Sequence, residues 1–147
     1  MITIFTIGFT KKSAEQFFTL LKKNNVKSLV DVRISNGGQL SGFAKGKDLE
    51  YFVKEILGVP YRHITDFAPE KDLLDRWHKK EVSWADYEKE FLATLKSRKI
   101  IEKYGVKQFD GCCFLCSEDT VEQCHRRLLA EYMKSRSTED VKIIHLK

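Results

Sequence analysis

Apolar residues recur along this chain in two alternating spacings. Ile2 to Ile7 interleaves apolar residues with threonine, the period-two signature of a strand, and Gly8 ends it. Ser13 stands three residues before Gln16, the spacing of a capping box, and Phe17, Leu20 and Leu21 give the helix that follows one apolar face. Asn24-Asn25 is its stop. Ser28 to Arg33 reads as a second strand. Strand, helix and strand in about thirty residues make a βαβ unit, which implies parallel strands and a right-handed crossover.

The alternation continues. Asn36-Gly37-Gly38 and Ser41-Gly42 mark a loop. Asp48 is placed to cap a second helix, in which Leu49, Phe52, Val53, Ile56 and Leu57 keep helical spacing until Gly58 closes it. Val59 to Ile64 reads as a short third strand, and a loop or short helix follows from Thr65 to Lys80. Ser83, with Asp86 three residues on, caps a helix whose inner stripe is Trp84, Tyr87, Phe91 and Leu95. A fourth strand lies within Phe109 to Cys116. Thr120 and Gln123 repeat the capping-box spacing and predict a helix from there to about Ser135, before a last strand, Val141 to Leu146. Such alternation predicts an α/β fold: a three-layer sandwich, one domain over residues 1–147, with a mainly parallel sheet of about five strands and helices on both faces.

Composition supports a packed globule: 42% apolar and 32% charged over 147 residues is enough to build a core and too apolar for disorder. No apolar run approaches the roughly 20 residues of a membrane helix. Met1-Ile2-Thr3-Ile4-Phe5 already reads as strand rather than as a basic leader. Cys112, Cys113, Cys116 and Cys124 are too close together to staple distant parts of a chain, so reduced thiols and a cytoplasmic location are expected. The net charge of +5 favours polyanionic partners weakly, and its basic residues are spread along the chain.

In an open parallel sheet, ligands bind beyond the carboxyl ends of the strands. Those ends carry the candidate chemistry. Asp31 and Arg33 fall two residues apart, on one side of strand two, and a charged pair there is costly unless used or paired. After strand four comes Cys116-Ser117-Glu118-Asp119-Thr120-Val121-Glu122-Gln123-Cys124-His125-Arg126-Arg127. With Thr120 as cap, Cys124 and His125 sit just past the first helical turn, where free N–H groups attract anions and favour a thiolate. Helical angles turn His125 toward the sheet and let one arginine curl toward the strand ends.

Glu118 and His125 are the expected acid/base pair, with Cys124 beside them as a catalytic candidate. Asp31, Arg33, Arg126 and Thr10 are expected to hold an anion, Arg33 and Arg126 bidentately. Phe43, with Lys45 and Lys47 on a basic loop, is placed to stack a base and meet its backbone. These expectations join Asp31, Arg33, Glu118, His125 and Arg126 into one polar cluster, with a carboxylate on His125 and Arg33 within salt-bridge reach of Glu118. A phosphatase loop built on Cys116 is disfavoured, because Glu118 and Asp119 repel phosphate. No metal and no cofactor are expected: no Cys-x-x-Cys pair is followed by a second, and Cys124 and His125 diverge by about 100° if both lie in a helix.

Thr6-Ile7-Gly8-Phe9-Thr10, Asp31-Val32-Arg33 and the Cys-x-Glu…Cys-His-Arg run together resemble the family called domain of unknown function 488. Gln39 to Lys45, Tyr61 to Pro69, Trp84, Tyr87 and Arg98 resemble one branch of it. The chain departs from the family pattern after Arg33 and at Val121, where members often have proline. The resemblance implies a fold and a site without naming a reaction. Three functions follow from the residues: an enzyme-like pocket, hydrolase or transferase, for a phosphate-bearing substrate such as a nucleotide or nucleic acid; a non-catalytic nucleic-acid or nucleotide binder; and a thiol redox or sensor protein using Cys116 and Cys124.

Overall fold

A computed structural model describes residues 1–37, 39–118 and 121–147. Five strands form one sheet: β1 (Ile2–Gly8), β2 (Ser28–Asp31), β3 (Tyr61–His63), β4 (Cys112–Cys116) and β5 (Val141–His145). Their order across the sheet is β3-β2-β4-β1-β5, and every pairing is parallel. All five carboxyl ends therefore lie along one edge. Gly8 is in register with Cys116, and Asp31 with both Leu115 and His63.

The period of two assigns each strand residue to a face. Phe5, Ile7, Leu29, Cys113 and Leu115 pack against α1 (Ala14–Lys23) and α2 (Gly46–Phe52), whose buried residues include Phe17, Phe18, Leu21 and Leu49. Ile2, Ile4, Val30, Val32, Cys112, Phe114 and Cys116 face the other way, toward α3 (Lys71–His78), α4 (Trp84–Ser97), α5 (Ile100–Tyr104) and α6 (His125–Arg136). Two apolar cores separated by a parallel sheet make the three-layer sandwich. Each fully buried side chain of Phe114's kind contributes about 1.5–3 kcal/mol, so the strands buried on both faces anchor the whole chain.

Local signals set several helix ends. Ser13 caps α1: its hydroxyl accepts the Gln16 N–H at 3.1 Å, and Gln16 Oε1 accepts the Ser13 N–H at 2.9 Å, completing the reciprocal box. Ser83 caps α4 through the Asp86 N–H at 3.1 Å. Gly58, in the left-handed region at φ 67°, ends the five-residue π turn that extends α2.

Elsewhere tertiary contacts move the boundaries. Lys45, not Asp48, occupies the N-cap of α2, with no side-chain bond; Asp48 lies in the first turn. The stretch 65–80 contains α3, and α5 follows α4 after Lys99 takes a left-handed turn at φ 54°. The largest difference is α6. It starts at His125 with Cys124 as N-cap, four residues later than the Thr120 spacing implies. Thr120 itself, with Asp119, lies outside the described residues. Among the described residues no helix is long and apolar enough to cross a membrane.

Candidate functional site

The chain leaves β2 toward the α1/α2 layer and leaves β4 toward the α6 layer, and the two strands are neighbours. Their outgoing segments therefore diverge and open a crevice at the carboxyl edge, the position at which parallel sheets bind ligands. A pocket of about 360 Å³ fills that crevice, floored by Arg33, Cys116, Cys124 and His125. Its wall comes from α3 and α4: Leu74, Trp77, His78 and Tyr87. Ser35, Glu118 and Gln123 line it as well.

On the α6 side, Cys116 ends β4 with its side chain turned toward that helix. The extended backbone of Cys124, φ −134° and ψ 138°, brings a second thiol alongside. His125, 6% exposed, closes the group. One ligand atom from each of Cys116, Cys124 and His125 lies within 4.8 Å of the others. His125 Nε2 is 2.8 Å from the Val32 carbonyl oxygen, which only accepts, so Nε2 carries the proton. Nδ1 then presents its lone pair to Cys116 Sγ, 3.6 Å away.

The two thiols differ in character. The neighbouring Cys124 thiol holds Cys116 below the ordinary cysteine range; burial opposes this, while Arg126 and the Ser117 and Glu118 N–H groups support it. Cys124 is pushed well up, by burial first and then by Cys116. Cys113, on the opposite face, is raised by burial and behaves as core. All four cysteines are free thiols and buried.

Arg126 is fully buried beneath the end of β1. Its Nη1 donates to the Glu118 carbonyl at 2.7 Å and lies 3.3 Å from Cys124 Sγ. Gly8 is required by this close approach: a Cβ there would sit 1.6 Å from the Glu118 oxygen and 3.2 Å from Arg126 Nη1. Thr10 ties the same turn to β1, its N–H and hydroxyl both donating to the Ser117 carbonyl, at 3.1 and 2.5 Å.

Asp31 and Arg33 lie on the other face of the sheet and meet the thiol group only at its edge. Arg33 Nε and Nη2 donate to the two Asp31 oxygens at 2.8 and 2.7 Å, a forked pair with side chains 5% and 0% exposed. Nη2 also donates to the Ala44 carbonyl at 2.7 Å. Tyr61 donates to Asp31 Oδ2 at 2.6 Å and receives Asn36 Nδ2 at 2.8 Å. Burial and this carboxylate raise the Tyr61 hydroxyl's pKa, keeping it a donor. The Phe9 ring stacks under the Arg33 guanidinium at 5.3 Å.

The expected single cluster is therefore two. Among the described residues no salt bridge joins Arg33 to Glu118, since Asp31 takes the Arg33 fork. His125 meets a backbone carbonyl rather than a carboxylate, because α6 starts late and sets its ring against β2. Glu118 offers Arg126 its carbonyl, and its side chain is exposed at the pocket rim. Phe43 is half-buried and packs against Phe17 and Phe18, with centroids 5.3 and 5.9 Å apart, and it lines a different pocket, with Phe52 and Ile56, rather than the Cys116 crevice. Lys45 starts α2 and does not line the pocket. Cys124 lies outside the helix, so the angular divergence that argued against shared metal ligation with His125 does not apply. Tyr61 and Tyr87 stood out in the sequence only through the resemblance and a helical stripe, and Asn36, Leu74, Trp77 and His78 carried no local signal; their roles depend on strand order and helix packing.

The family model described as "Domain of unknown function DUF488" matches residues 13–133. No curated protein and no solved structure matches the chain.

Proposed function

Because the chain belongs to the DUF488 family, whose description assigns no reaction, we propose a function from the pocket itself: a small-pocket enzyme acting on a phosphate-bearing small molecule of nucleotide size. One observation carries this reading. A pocket of about 360 Å³ at the carboxyl edge of the sheet is lined by Arg33, two thiols and an imidazole under an aromatic wall.

In this reading Trp77, Tyr87 and Leu74 hold the apolar or planar part of the substrate, and Arg33 marks the anionic end. Asp31 neutralises much of the Arg33 charge, so Arg33 orients an anion rather than drawing it in from a distance. The reacting group comes from the corner shared by Cys116, Cys124 and His125. Both His125 nitrogens are engaged, so the solvent-facing Glu118 carboxylate is the better placed proton carrier. Non-catalytic nucleic-acid binding has less support, since its stacking residue, Phe43, does not line the crevice that holds Arg33 and Glu118.

Calorimetry against a panel of nucleoside phosphates, sugar phosphates and inorganic phosphate tests the reading. Binding is expected for at least one phosphate ester, weakened about tenfold or more in Arg33→Lys, which keeps the charge but loses the fork. Ser35→Trp, which plugs the pocket from an exposed position, should abolish it. Binding that survives Ser35→Trp unchanged, or no binding across the panel, would overturn the proposal.

A further inference from the structure

The geometry points to a metal centre: we propose that Cys116, Cys124 and His125 bind one divalent transition-metal ion of the zinc class, leaving its fourth position open to the pocket. This deepens the reading above, for it rests on the same pocket and names the group that acts there.

The first argument is distance. A tetrahedral ion about 2.3 Å from sulfur and about 2.05 Å from nitrogen holds those two atoms about 3.6 Å apart. Cys116 Sγ and His125 Nδ1 are 3.6 Å apart. With all three ligand atoms inside 4.8 Å, the cluster has only to contract slightly.

The second argument is the direction of the lone pairs. The Val32 carbonyl fixes the proton on Nε2, as a backbone carbonyl commonly does for a metal-bound histidine, and so leaves Nδ1 as a donor of electrons. Cys116 Sγ faces that lone pair directly. A metal ion taking the place of the thiol proton would satisfy both atoms at once. Binding releases the thiol protons to solvent and leaves two thiolates and one imidazole on the ion.

The third argument concerns openness. All three residues line the pocket, and they are the only His, Cys, Asp or Glu group of ligating geometry among the described residues. Three protein ligands with one position free is the arrangement of catalytic rather than structural zinc. Soft sulfur ligands select zinc-class ions over magnesium or calcium.

Cobalt(II) titrated into reduced, chelator-treated full-length protein is the test. Stoichiometric binding is expected, with the visible bands of tetrahedral cobalt and a thiolate-to-cobalt charge-transfer band, both erased by added zinc. Cys116→Ser and Cys124→Ser should each weaken binding by more than the roughly 10–100-fold that a lost supporting contact costs. Cys112→Ser should bind like the parent. X-ray absorption on the cobalt-loaded parent protein, which depends on no variant folding, should show two sulfur neighbours. A sulfur-free shell, or no stoichiometric band in the parent, would overturn the proposal. No phosphate compound is present in this titration, so its failure and that of the ligand panel are separately visible.

Discussion

Replacing Gly8 by alanine tests whether the turn after β4 is held as tightly as the geometry requires. The added methyl would lie 1.6 Å from the Glu118 carbonyl oxygen and 2.6 Å from its carbon, which is backbone and cannot rotate away. The turn must move, and two contacts move with it. One is the Arg126 donation to that carbonyl; the other is the pairing of Thr10 with Ser117. Overpacking costs about 1–3 kcal/mol. A hydrogen bond from a charged donor contributes about 1.5–3 kcal/mol and a neutral one about 0.5–1.5. Loss of glycine's unfolded-state freedom returns about 0.4–1 kcal/mol. Because the contacts share one displaced turn they do not add fully, and a net loss of about 3–4 kcal/mol is expected. At about 2–4 °C per kcal/mol for a chain of this size, Tm should fall by about 10 °C. Urea and thermal melts followed by circular dichroism read this directly. Gly37→Ala is the control: nothing lies within 4 Å of its Cβ, and its change should stay within about 0.5 kcal/mol. A Gly8→Ala loss below about 1 kcal/mol would refute the reasoning, because the turn would then have yielded at little cost.

Asp31→Asn leaves the Arg33 guanidinium buried against a neutral amide and should cost about 3–5 kcal/mol in urea melts; a loss under about 1 kcal/mol would mean that Arg33 finds another acceptor. His145 has its pKa lowered from 6.5 by burial and then by the Arg126 charge, so the fold favours its neutral ring. Its contribution to stability is present above 6.5 and is lost as pH falls below that value toward the lowered pKa. His145→Gln should flatten stability against pH across that window, and identical slopes for parent and variant would count against the assignment.

Features whose partners lie within a few residues were legible in the sequence. Ser13 with Gln16 and Ser83 with Asp86 set their helix starts because a capping bond spans three residues and needs nothing from elsewhere. The alternation of Ile2 to Ile7 and the apolar run into Cys116 fixed the strands, since a chain buried on both faces must be apolar on both. Asp31 and Arg33 pair as their two-residue spacing suggests, although β2 ends at Asp31, two residues short of the expected Arg33. The spacing of Thr120 and Gln123 did not set the start of α6. That helix begins at His125, under the Val32 carbonyl. That shift moved Cys124 out of the helix and made the Cys116–Cys124–His125 group possible. Strand order then decided what the sequence had no means to encode locally. Placing β4 between β1 and β2 set Cys116 beside Val32 and Gly8 beside the Arg126 guanidinium. The fold of α3 and α4 against that edge supplied Trp77 and Tyr87 as a wall. The reason is physical: capping and periodicity act through contacts a few residues long, whereas a pocket is defined by groups separated by tens of residues, brought together only when the whole core packs.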